Sequence, residues 1–316
     1  PSSNNGNWQT AWRWSRLLAE RYQVRVLQNW HDEPVDLLIA LHARRSAASI
    51  QAWHASRRGP LVLVLTGTDL YRDIDADVAA QASLQLADRL VVLQELGAQR
   101  LPPALRARCT VCFQSCSAWR AVAKTARHLR AVMVGHLRDE KSPETYFEAA
   151  RLLAARDDIV LDHIGAPLDA ALGEQARGLA HRQPRYRWLG ALDHAATRRR
   201  IQHAHVLVHA SRIEGGAHVI SEALRSGTPV LASRIDGNVG MLGADYGGYF
   251  EWNDARALAA LLQRVRDEPA LLRRLTAQCR RRAALFEPRR ERATLLRLLD
   301  DLLAAAALAP NVAQSS

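Results

Sequence analysis

Short apolar runs rich in Val, Leu and Ile recur along the chain, and segments of helical periodicity separate them. In the first half the runs are VRVL (24–27), DLLIAL (36–41), LVLVLT (61–66), RLVVL (89–93) and TVCF (110–113). In the second half they are LRAVMVG (129–135), IVLDHIG (159–165), YRWLG (186–190), HVLVHA (205–210) and PVLASR (229–234). Near-continuous apolar runs of this length are strands buried on both faces, and strands alternating with helices predict parallel sheets covered by helices. TAWRWSRLLAERY and the segment after Arg45 read as such helices. The pattern therefore predicts an α/β chain of two doubly wound domains facing a cleft. The switch between them falls in SCSAWRAVAKTARH (115–128), which has no strand character. The chain opens PSSNNGNW, a loop entering a helix, so the strand that normally begins such a domain is expected to be missing from this sequence. Helices follow Ala255, and APNVAQSS reads as a flexible tail.

Open α/β sheets bind ligands beyond the carboxyl ends of their strands, so the residues after each run are the candidates for chemistry. Arg44 and Arg45 follow the 36–41 run at the start of a helix that Ser46 is placed to cap, a pattern suited to a small phosphate-like anion. Thr66, Thr68 and Asp69 follow the 61–66 run in TGTDLYRDI. Gln114 and Ser115 follow the 110–113 run. In the second half GHLRDEK (135–141) places Arg138 and Lys141 within reach of one diphosphate, and WLG ends the 186–190 run with backbone groups able to pair with a planar base.

The stretch EGGAHVISE (214–222) puts two glycines between Glu214 and a helix that carries Glu222. Glycines at a strand-to-helix turn bring bare backbone N–H groups and the positive end of a helix toward a phosphate, although a plain tight turn gives the same letters. Another glycine-rich turn, RIDGNVGMLG, follows the 229–234 run.

Composition narrows the partners. The 316 residues carry 43 basic and 32 acidic groups, a formal net charge of +11, and the only lysines are Lys124 and Lys141. A basic balance favours anionic partners. The arginines are scattered over helix faces without interleaved aromatic residues, so a general arginine bias accounts for the charge better than nucleic-acid binding does. Cys109, Cys112, Cys116 and Cys279 lack the paired spacing of a structural zinc site. They read as buried thiols, without a disulfide framework, which points to a reducing cytoplasm. No apolar run is long enough to span a membrane.

GHLRDEK, WLG and SRIEGGAHVISEALRSGTPV (211–230) together resemble the second domain of nucleotide-sugar glycosyltransferases of the GT-B fold, family four. That resemblance implies two Rossmann-like domains. It makes 1–118 an acceptor-binding domain and 119–285 a nucleotide-sugar-binding domain, with 286–306 a helix packing back toward the first domain and 307–316 a tail. It also implies that Glu214 lies near the donor sugar, that Glu222 binds the ribose hydroxyls, and that the amides of Gly215, Gly216 and Ala217 cradle the diphosphate with Arg138 and Lys141. Leu189 and Gly190 belong to the same donor set. His136 stands where the family usually has an arginine, and Arg138 is expected to supply the lost charge. Glu214, Arg138 and Lys141 are thus the expected catalytic residues.

The resemblance reaches into the first half. NNGNWQTAWRWSRLL, DLLIALHARRSAASI, LTGTDLYRDI and SLQLADRLVVLQELG, together with SRIEGGAHVISEAL and GNVGMLGADYGGYF of the second half, are similar to the selenosugar synthases of selenoneine biosynthesis. It implies transfer of GlcNAc or Glc from a UDP-sugar to selenophosphate, with a selenosugar handed to the next enzyme of that pathway. It also implies small-molecule substrates, no nucleic acid, no membrane span, and no cofactor or metal. The acceptor residues would be Asn5, Gly6, Asn7, Arg44, Arg45, Thr66, Thr68, Gln114 and Ser115. Selenophosphate is already a strong nucleophile and needs no general base. The alternatives are a UDP-sugar hexosyltransferase acting on a hydroxyl of a lipid or glycan, with His42, His136 and His218 as candidate bases, and a non-catalytic anion-binding protein.

Overall fold

The computed structural model describes residues 6–308, which divide into two compact units: 6–114 with 288–308, and 115–287. Asn5 and residues 309–316 lie outside the described residues.

The first unit holds a parallel sheet of β1 (Leu38–Leu41), β2 (Leu61–Leu65), β3 (Arg89–Val92) and β4 (Cys109–Val111), paired in chain order. Side chains alternate across a strand, and β2 shows the consequence. Leu61, Leu63 and Leu65 pack in one buried cluster with Ile50 and Trp53 of the Ala47–Ser56 helix and Ala80 and Leu84 of the Val78–Leu86 helix. Val62 and Val64 pack in another with Trp14 and Leu18 of the Gly6–Leu18 helix and Leu295, Leu298, Leu299 and Leu302 of the Pro288–Leu308 helix. The last helix thus covers the first unit, although more than 170 residues of the second unit (115–287) separate it in sequence from β4.

The structure corrects one strand. VRVL (24–27) forms no ladder, and Val24 and Leu27 are exposed. A single extended segment leaves its backbone groups to water unless a neighbour takes them, and β1 pairs only with β2 among the described residues. Ser46 is corrected too. It occupies the position before the Ala47–Ser56 helix, but its hydroxyl donates to the carbonyl of Leu41 (2.8 Å) and caps nothing.

The second unit holds a six-stranded parallel sheet, β5 (Leu129–Val134), β6 (Ile159–Ile164), β7 (Tyr186–Trp188), β8 (Val206–His209), β9 (Val230–Ser233) and β10 (Tyr249–Phe250). Their spatial order is β10-β9-β8-β5-β6-β7. Numbered within the unit this is the 3-2-1-4-5-6 order of a dinucleotide-binding sheet, so the winding reverses between β5 and β8. Asp169, Asp193 and Asp254 each accept the amide three residues on and start the helices that cover the sheet. β10 was not expected from the sequence.

Among the described residues the four cysteines are free, and no helix is long and apolar enough to cross a membrane.

Candidate active site

The reversal point is where the loops after β5 and β8 meet. The β5 loop runs through Gly135–His136 into the short turn Asp139–Lys141, and the β8 loop leads from His209 to Glu214. The Lys141 ammonium donates to Oε1 of Glu214. His209 Nε2 lies 3.4 Å from the same oxygen. Burial works to raise the Glu214 carboxyl, but the Lys141 charge and the hydrogen bonds of His209 and Lys141 outweigh it and hold it well below the ordinary range. The acid is therefore an anion in a largely dry place, with two donors on one oxygen.

Backbone contact fixes that place. A Cβ on Gly237, in the Asp236–Leu242 helix after β9, would stand 2.1 Å from the Glu214 carbonyl oxygen. One on Gly165 would stand 1.9 Å from that of Gly135, so the β5 and β6 loops are pressed together. Gly237→Ala is accordingly expected to shift the Glu214 loop and lower thermal stability by roughly 1–3 kcal/mol, the usual cost of overpacking. Thermal unfolding checks the loss, and donor binding checks the shift.

Glu222 is a second, separate acid. It is buried in the His218–Leu224 helix, where Oε1 receives His194 Nε2 at 2.5 Å and lies 3.4 Å from His218 Nδ1. Burial opposes its ionisation, yet the two histidines bring the carboxyl down to about 2, and the Glu222 hydrogen bond in turn raises His194. Partners of Glu214 and Glu222 do not overlap, so the two carboxylates serve two positions rather than sharing a proton. His218 Nε2 also reaches the Ser115 carbonyl (3.2 Å), which ties the helix start to the segment after β4.

The glycines of EGGAH are not there for backbone freedom. Gly67, Gly190, Gly227 and Gly243 are the glycines with positive φ, and Gly215 and Gly216 are not among them. Ala217 corrects the expected amide cradle: its N–H donates to the Met241 sulfur at 3.2 Å instead of standing open beside the glycines. A thioether is a weak acceptor, so this amide is held loosely.

His136 supplies no charge to the site. Its Nδ1 accepts the Ala166 amide (3.0 Å), and burial together with Arg138 and Lys141 lowers its basicity. Arg138 is half exposed and 3.8 Å from Glu140. Leu189 donates to the His163 carbonyl at 2.8 Å and the Gly190 carbonyl takes the Gly165 amide at 2.8 Å, so this amide and this carbonyl of WLG already have backbone partners.

In the first unit the residues expected to meet an acceptor separate into two groups. Thr66, Thr68 and Arg44 gather at the carboxyl ends of β1 and β2 around Asp69 and Asp73. Asp69 is fully buried and accepts the amides of Ala43 (3.0 Å), Thr66 (2.9 Å) and Gly67 (2.8 Å), which clamps the two loops together. Arg44 is half exposed, and its Nε pairs with Asp73 at 3.0 Å. Arg45 gives its amide to His42 Nδ1 at 3.4 Å. His42 is buried in a left-handed conformation (φ 79°), with Thr68 Oγ1 at 3.1 Å and Asp73 at 3.8 Å, and burial lowers its basicity. Gln114 instead donates to Thr10 of the Gly6–Leu18 helix (2.6 Å), and Gly6 and Asn7 form the first turn of that helix. Ser115 falls in the second unit.

Reasoning from sequence missed His209, His194 and Met241 as partners of these groups. A histidine closing an otherwise apolar strand, five residues before Glu214, was the available signal for His209.

A 3-2-1-4-5-6 parallel sheet with a buried acid and a lysine at its reversal point is a doubly wound α/β domain with its ligand site at the switch. Residues 120–282 match the family described as glycosyl transferases group 1, more than half of the chain, and the chain belongs to that family. Solved structures carry the same fold. TarM of S. aureus, as a mutant in complex with fondaparinux, α-GlcNAc-glycerol and UDP, is 13% identical with a TM-score of 0.68, the match covering 84% of this chain and 55% of TarM. Sucrose-phosphate synthase from Thermosynechococcus elongatus is 22% identical with a TM-score of 0.69, over 85% of this chain and 74% of the enzyme. Anabaena HepE in complex with UDP and glucose is 15% identical with a TM-score of 0.66, over 84% and 78%. This chain thus spans little more than half the length of TarM. No curated protein sequence matches it.

Proposed function

We propose that the chain is a glycosyltransferase that takes a hexose, GlcNAc or Glc, from a UDP-sugar and passes it to the selenium of selenophosphate. The observation that carries the donor half is the Lys141–Glu214 pair at the point where the second sheet reverses. When the C1–O bond to the diphosphate breaks, its electron pair leaves with UDP, and a preorganised cation stabilises that growing charge. Lys141 and Arg138 are the cations assigned to it, with Gly215 and Gly216 giving the phosphates bare backbone. Glu214 faces the sugar and Glu222 the ribose. UDP in the TarM and HepE complexes supports a uridine donor.

The acceptor half rests on the selenosugar-synthase resemblance of the first unit and on Arg44, Thr66 and Thr68 gathered at the ends of β1 and β2. A selenium lone pair forms the C1–Se bond, and water then splits Se–P to release phosphate and the 1-selenosugar. Neither step calls for a metal or a cofactor.

His42 is the observation that favours a hydroxyl acceptor instead. A buried imidazole beside Asp73 and Thr68 is placed to take a proton. Incubation with UDP-GlcNAc or UDP-Glc and selenophosphate, read by mass spectrometry, is expected to give UDP and selenosugar. His42→Ala is expected to cost selenium transfer less than tenfold, because general-base assistance typically contributes 10²–10⁴ and this acceptor needs none. Transfer to a hydroxyl acceptor and none to selenophosphate would overturn the selenium reading.

A further inference from the structure

We infer that His209 is a positioning residue: it holds the Glu214 carboxylate in place while Lys141 turns to the donor diphosphate. The inference rests on the donor site proposed above and adds to it a residue that contacts neither substrate.

Two donors meet on one oxygen of Glu214, and they differ in freedom. Lys141 carries its ammonium on a long flexible stem that is one-fifth exposed. His209 is the last residue of β8 and only 2% exposed, a short side chain enclosed by its surroundings. A phosphate arriving at the site competes with Glu214 for Lys141. If the lysine were the only partner, each binding event would strand a buried carboxylate, at a penalty comparable with what the new contact gains. His209 removes that conflict, because its N–H stays on the carboxylate whichever way the lysine points.

The tautomer this requires is the one the surroundings favour. Nδ1 of His209 is buried and has no hydrogen-bond partner. A proton there would be a donor without an acceptor, whereas a bare lone pair is the cheaper group to leave unmatched. The proton therefore sits on Nε2, facing Glu214 at 3.4 Å, with the Ser211 hydroxyl also 3.4 Å away. Ser211 in turn gives its carbonyl to the Ser233 hydroxyl (2.6 Å), and Ser233 Oγ is held by Asn238 Nδ2 at 3.0 Å, in the helix whose Gly237 packs on Glu214. The histidine is one corner of a buried polar frame around the acid.

A double-mutant cycle read by UDP binding tests this. His209→Leu is expected to weaken UDP about tenfold, a coupling of the size that contacting polar groups show. His209→Gln, which keeps an N–H donor, should stay within about threefold of the wild type on the same scale. In a Glu214→Gln background no charge needs holding, so adding His209→Leu should change the UDP constant by less than about twofold. His209→Met replaces the leucine variant should that fail to fold. A tenfold loss that persists in the Glu214→Gln background would make His209 a packing residue and overturn the inference. So would a His209→Leu protein that binds UDP as the wild type does. Failure of the wild-type chain to bind UDP would overturn the donor site itself, a result visible before any variant is made.

Discussion

Lys141→Ala is expected to abolish most sugar transfer, with kcat/KM for the UDP-sugar falling roughly 10²–10³-fold, the range seen when one preorganised electrostatic donor is removed. UDP release in a coupled assay measures it. The same substitution leaves Glu214 with His209 as its remaining partner among those described, so stability should fall by about 1–3 kcal/mol, less than the 3–5 of a buried pair broken outright. The two effects come apart in Lys141→Ala/Glu214→Gln. Removing the carboxylate charge should restore the melting temperature and leave the enzyme inactive. The pH dependence follows from the direction of the Glu214 shift. Its folded carboxyl lies below the ordinary value, so its contribution is fully present above about pH 4.3 and is lost as pH falls through the folded value. Wild type and Lys141→Ala should therefore differ in stability at neutral pH and converge in acid.

The largest effect on stability is expected away from the donor site, at Glu291. This carboxylate is 1% exposed, accepts the Trp14 indole N–H at 2.7 Å, and pairs with Arg13 through contacts of 3.1–3.2 Å. It joins the Pro288–Leu308 helix to the Gly6–Leu18 helix on the face of the first sheet that Val62 and Val64 cover. Glu291→Ala leaves a partly buried guanidinium and a buried indole donor without that acceptor, a loss of about 3 kcal/mol. Calorimetry should show the melting temperature of the first unit lowered by roughly 10 °C. Glu291→Gln keeps an acceptor for Trp14 and should fall between the two.

Much of this architecture was legible in the sequence because buried parallel strands write themselves as runs of Val, Leu and Ile. LVLVL and VLVH were placed correctly for that reason. VRVL carries the same letters and forms no strand, since a strand is a property of a pair and no described segment pairs with it. The two-residue β10 has too little sequence to announce itself. Lys141 and Glu214 were legible as members of spaced motifs, and the sheet order brings them together. Their supports were not legible: Asp69 clamping two loops, Met241 taking the Ala217 amide, and His209 behind Glu214 arise from residues far apart or facing inward. The setting of the arginine pair was hidden for the same reason: Arg44 reads as a lone guanidinium, whereas Asp73, distant in the chain, pairs with it.

The return of the last helix to the first unit also sets an order on synthesis. The second unit is one uninterrupted stretch, 115–287, and all of its strands can pair as soon as that stretch has left the ribosome. The first unit begins earlier but cannot close, because Leu295, Leu298, Leu299 and Leu302 are translated after the whole second unit. Until they emerge, the apolar face formed by Trp14, Leu18, Val62 and Val64 waits uncovered. The half of the protein made first is the half finished last, and in that interval a chaperone has a defined hydrophobic surface to shield.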